Sequence, residues 1–78
     1  MDKIPTLEEY RQAVVDLCKK NIEYDSYMKP FLESGDADDI IKHEYENALI
    51  MLQKGKIGIH HILDYCASRA EWCIFMSA

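Results

Sequence analysis

The chain has 78 residues, of which 49% are hydrophobic and 29% charged, and its formal net charge is −5. That length makes one domain with a thin stability margin, and the apolar share is too high for disorder. The acid excess removes the basic footprint that non-specific nucleic-acid binding needs, and it disfavours anionic membrane surfaces. Three glycines and two prolines are too few for the turns of an all-β fold and suit a few long helices.

The opening Met1–Pro5 segment has no apolar h-region, so no signal peptide is expected. No apolar run approaches the ~20 residues of a membrane span. Three widely spread cysteines, without a secretory leader, read as reduced thiols of a cytoplasmic protein.

The first helix is predicted over about 7–33. Thr6 and Glu9 form a capping box, with Thr6 as N-cap. Leu7, Val14, Asn21 and Met28 make one row, and Tyr10, Leu17, Tyr24 and Phe31 a second, so the apolar positions step three and four along one face. Val15 and Ile22 line up with Cys18 as a further apolar row. The opposite positions, from Glu9 to Glu33, are polar. The flanks of the double row are mixed rather than charged, which favours a bundle helix touching two neighbours over a coiled-coil seam. Pro30 predicts a kink or a separate last turn between Asp25 and Pro30. A helix over 7–33 would reach roughly 40 Å at about 1.5 Å per residue, against roughly 25 Å for each later helix. Its apolar end, with Tyr24, Tyr27, Met28, Phe31 and Leu32, must therefore fold back or meet another chain. Asn21 is the polar exception within the stripe.

Ser34-Gly35-Asp36 reads as the stop, with Gly35 free to take a left-handed conformation. The second helix is predicted over about 37–54, with Asp36, Asp38 and Asp39 at the positive end of its dipole. Its inner stripe is Ile41, Tyr45, Ala48 and Leu52, while Ile50 points away. The third is predicted over about 59–76, with Gly58 as N-cap and Ile57 and Ile62 at the two positions of a hydrophobic staple. Its inner stripe is Ile59, Leu63, Cys66, Ala70 and Cys73, with Ile62 and Ile74 beside it. The fold expected is an all-α, small antiparallel three-helix bundle with a long, kinked first helix, leaving room for a short fourth helix after Pro30.

Catalytic chemistry has little support. There is no glycine-rich phosphate loop, no serine in a strained elbow, and little room in such a bundle for a pocket of ~300 Å³ or more. No enzyme activity, catalytic residue or cofactor is expected. Cys66 and Cys73 stand two helical turns apart, about 10 Å between α-carbons, too far to share one zinc easily. With Cys18 they read as core. His60, His61 and Asp64 open the third helix, where His60 and Asp64 share a face, but two ligands are not a site and no third lies nearby in sequence, so no metal is expected. His43 and Asp39 are a similar pair, for which dipole stabilisation is the simpler account. The acidic stretch Glu33, Asp36, Asp38, Asp39, Glu44 and Glu46 fails the calcium-loop pattern, because Ile40 stands where an oxygen ligand belongs.

Two features suggest a partner instead. Tyr65 and Trp72 form a row at the edge of the third helix, Arg69 lies between them, and Phe75 falls on its polar face; these residue types dominate interface hot spots. Asp36, Asp38 and Asp39 form an acidic patch suited to a basic surface. A third candidate is the apolar end of the first helix, with Tyr27 and Phe31, through which the chain could form a homodimer. No family resemblance is apparent. The expectation is a small acidic module that docks on a larger cytoplasmic protein and inhibits or adapts it, without direct contact to nucleic acid or membrane. Phage- or plasmid-encoded inhibitors of nucleic-acid-handling machines, anti-CRISPR proteins among them, share this size and charge. Immunity proteins and antitoxins share it equally. A self-associating helical scaffold is the alternative, and a metal-binding module the weaker third.

Overall fold

The computed structural model describes residues 3–77; Met1 and Asp2, part of the segment read as lacking a leader, and Ala78 lie outside it. The described chain is helical, and no strand occurs among its residues. Helix α1 spans Leu7–Lys19, a wide π-turn Tyr24–Met28 leads into the short α2, Lys29–Glu33, and α3 spans Asp38–Gln53. A 3₁₀ turn, Ile59–His61, and a second π-turn, Ile62–Cys66, then run into α4, Ala67–Ser77. The molecule measures 37 × 20 × 18 Å.

The predicted capping box is present. The Glu9 N–H donates to Thr6 Oγ1 at 3.1 Å, and the Thr6 N–H donates to Glu9 Oε1 at 2.9 Å. The predicted stop Gly35 adopts the left-handed conformation that glycine takes without steric penalty, with φ +86°, and Gly55, which follows the end of α3, does the same with φ +73°. Gly58 sits at the N-cap of the last helical run, in extended conformation.

Cross-links between elements fix the topology. Tyr10 donates its hydroxyl to the Cys66 carbonyl at 2.9 Å, and Asn21 donates to Glu71 at 3.0 Å, so α4 runs parallel to α1. Arg11 meets Asp38, while Tyr45 donates to the Pro5 carbonyl at 2.6 Å, so α3 runs the opposite way. The result is an up-down-up three-helix bundle in which α1, α3 and α4 all touch one another. Tyr10, Val14 and Cys18 from α1, Met28 and Leu32 from the returning segment, Ile41 and Ala48 from α3, and Ile62, Cys66, Ala67, Ala70 and Ile74 form the core. Each large side chain so buried contributes up to about 1.5–3 kcal/mol.

The long first helix is interrupted as Pro30 requires, but regular helix ends at Lys19, earlier than the sequence pattern places the kink. Asn21 supplies the reason. Its side-chain oxygen accepts the Glu23 N–H at 2.8 Å, a local turn that competes with helical hydrogen bonding. The wider π-turn follows, with the Lys29 N–H donating to the Tyr24 carbonyl, and it lies where the Pro30 ring would meet the previous turn of an α-helix. Pro30 then stands in the first turn of α2, where a missing donor costs nothing.

This break decides the fate of the apolar end. It folds back over the bundle instead of overhanging: Met28 and Leu32 are buried, and Tyr24 and Phe31 pack against the core. Tyr27 remains exposed. Ile22, assigned to an apolar row, is instead 96% exposed, because the helix that would have turned it inward has ended.

A second correction concerns the last helix. Its buried face is Ile62, Cys66, Ala67, Ala70 and Ile74, while Leu63 is exposed and Ile59 and Cys73 are only half-buried. The 3₁₀ turn and π-turn change the angular step per residue, so the stripe rotates away from the one a uniform helix would present. Phe75, expected on the polar face, is thereby half-buried against the core, and Glu71 turns toward Asn21.

Candidate interaction face

The seam between α3 and α4 collects the chemically distinctive side chains. From α3 come Glu44, Asn47, Ile50 and Met51; from the π-turn and α4 come Tyr65, Ser68, Arg69, Trp72 and Cys73. Arg69 divides two adjoining clefts. One, of about 230 Å³, reaches down to Glu44, Ala48 and Cys66. The other, of about 340 Å³, lies between Tyr65, Arg69 and Trp72. The outer residues are open to solvent: Tyr65 is 51% exposed, Trp72 58% and Ile50 47%. Trp72 leans on Phe75 with ring centroids 5.9 Å apart, so the half-buried phenylalanine props the exposed indole.

Glu44 is the electrostatic centre of this seam. Its side chain is only 12% exposed, and Arg69 Nε stands 3.7 Å from Oε1. The Cys73 thiol faces Oε2 at 3.9 Å. Contact with Tyr65 first, and the Glu44 carboxylate second, hold the Arg69 guanidinium above its ordinary range. Burial first and the same carboxylate second push the Tyr10 hydroxyl and the Cys73 thiol upward. The sequence pattern counted Glu44 only within an acidic stretch. Its position, three residues after Ile41 and four before Ala48, already placed it at the edge of the inner stripe.

The thiols have the character of core groups. Burial, with Glu71 adding to it, pushes Cys18 up to about 12, and burial also raises Cys66. Such cysteines are poor nucleophiles at neutral pH.

The other predicted site residues fall elsewhere. Asp38 pairs with Arg11, whose Nη2 lies 3.3 Å from Oδ1, and with Asp39 it lines a cleft beside Leu7 and Lys42. Asp36 belongs to a different cleft, with Tyr27, Pro30, Phe31 and Ser77. The acidic patch and the Tyr65–Trp72 edge are thus parts of separate clefts, while Asp36 joins Tyr27 and Phe31. The His60 and His61 rings lie 4.1 Å apart, Asp64 is exposed, and His43 approaches Asn47 at 3.3 Å. Among the described residues, no three His, Cys, Asp or Glu side chains gather as metal ligands would. No helix among them is long and apolar enough to cross a membrane.

Comparison with known proteins finds no matching family model, no matching curated protein and no matching solved structure.

Proposed function

We propose that this protein is a small acidic binding module that docks on a larger protein through the α3–α4 seam and inhibits or adapts it. The observation that carries this reading is the exposure of Tyr65 and Trp72 on either side of Arg69, with Ile50 across the seam. Aromatic and arginine side chains beside a cleft are the composition of interface hot spots, and a solvated Trp at this exposure has no folding role that would require it. The net charge of −5 favours a partner with a basic surface. Machines that handle nucleic acid carry such surfaces, and inhibitors of them encoded by phages or plasmids are the biological class this reading favours.

The test is affinity capture from a bacterial lysate with three baits: the native chain, Trp72→Ala and Tyr65→Ala. A protein retained by the native chain and lost with both variants, whose thermal unfolding stays close to native, supports the seam as the docking face. Equal retention by all three excludes it.

A further inference from the structure

We infer that the cleft beside Glu44 receives an arginine side chain of the partner, and that Arg69 occupies the same carboxylate as an internal stand-in until the partner arrives. The inference rests on the docking reading above and names the chemistry the seam selects.

The Glu44 side chain is mostly covered, and both of its neighbouring donors stand at long range. Charge-assisted N–H···O bonds run at about 2.7–2.9 Å, whereas Arg69 Nε stops 3.7 Å away, and the other neighbour is a thiol, a weak donor, at 3.9 Å. Arg69 is 53% exposed and leans on Tyr65 as well as on Glu44, so it can leave the carboxylate without losing every contact. A half-shielded carboxylate whose Oε1 has no donor at hydrogen-bond distance among the described residues gains when a fully bonded guanidinium reaches it. Space for such a group lies in the cleft that Glu44 lines, which has no aromatic residue in its wall among the described residues. That cleft of about 230 Å³ is also lined by Ala48, Ile50, Met51 and Asn47. Apolar walls suit the methylene stem of an arginine, and the carboxylate suits its head. Arg69 also lines the neighbouring cleft with Tyr65 and Trp72, so the displaced guanidinium has aromatic faces to stack on. The exchange keeps each charge paired and presents the aromatic edge and the cleft to the partner together.

The probes are two synthetic amphipathic helical peptides with leucines along one face. One has a single central arginine; in the other that residue is citrulline, its neutral isostere. Binding is followed through the backbone amide shifts of the labelled full chain. The arginine peptide is expected to bind at the α3–α4 seam about tenfold more tightly than the citrulline peptide, the scale of a charge-assisted pair. Glu44→Gln should abolish that difference without unfolding the chain, and Arg69→Ala should tighten the arginine peptide by removing the internal competitor. Trp72→Ala should weaken both peptides alike. Equal affinity of the two peptides at the seam overturns the arginine inference and leaves the docking face standing. Weaker binding by Arg69→Ala overturns the stand-in role. Absence of shifts at the seam with either peptide overturns both the inference and the docking reading.

Discussion

Asn21 shows how much one side chain decides in this chain. In the heptad pattern it is a polar intruder in an apolar row. In the structure its oxygen accepts the Glu23 N–H, its amide donates to Glu71, and regular helix stops at Lys19. Asn21→Ala removes both bonds and is expected to destabilise the protein by about 1–2 kcal/mol, measured by urea unfolding. A variant as stable as the native chain would mean that Pro30 alone sets the break. Buried acids give a second prediction at this scale. Burial pushes the Cys18 thiol from its ordinary 9.0 up to about 12, and it raises Tyr10, Cys66 and Cys73 as well. A group raised in the native state leaves stability intact below its unfolded pKa. Above it the unfolded chain releases a proton that the native chain retains, so stability falls. These groups leave stability unchanged from neutral pH to about pH 9, and Cys18 makes it decline between about pH 9 and 12 by about 1.4 kcal/mol per pH unit, with Cys66 and Cys73 adding in the same direction. Cys18→Ala should show a shallower decline. A flat profile through pH 10 in the native chain contradicts the burial of these groups.

Among the helices, the two π-turns matter more than any single helix length. The first, Tyr24–Met28, lets the chain pass Pro30 and return over the bundle; the second, Ile62–Cys66, rotates α4 so that Ile74 faces inward and Phe75 supports Trp72. Pro30 stands in the first turn of α2, where its missing N–H has no helical acceptor to lose. Pro30→Ala should thus change unfolding stability by less than about 1 kcal/mol. Gly55 provides the contrasting case. A Cβ there would meet nothing within 4 Å, yet its φ is +73°. Gly55→Ala should cost about 1 kcal/mol through backbone strain alone. A neutral Gly55→Ala result would show that the α3–α4 connection relaxes into another turn. The Gly35 stop was legible in the sequence because the left-handed conformation is a local demand. The rotated stripe of α4 was not, since a single-period pattern assumes a constant step per residue.

As a whole molecule the protein carries its acid excess on several faces. Asp38 is engaged by Arg11, whereas Asp36 and Asp39 are exposed in different clefts. Charge reversal at Asp36 and Asp39 leaves the Arg11–Asp38 pair intact. With a captured partner in hand, the double variant is expected to associate several-fold more slowly and with a flatter salt dependence, measured by stopped-flow mixing. Unchanged kinetics would remove these carboxylates from the encounter and leave the α3–α4 seam to act alone. The scale of each interaction sorts what could be read in advance. Composition, helical periodicity, the Thr6–Glu9 box and the Gly35 stop determined an all-α bundle, because they depend on neighbours within one or two turns. They also marked Tyr65, Arg69 and Trp72 as an aromatic and cationic row. Only tertiary packing decided that the Tyr24–Leu32 end folds back, because Met28 and Leu32 find the core there and Asn21 finds Glu71 fifty residues away. Packing likewise decided that Glu44 is the nearly buried carboxylate beneath Arg69. Burial and pairing depend on which elements meet, and no local pattern carries that information.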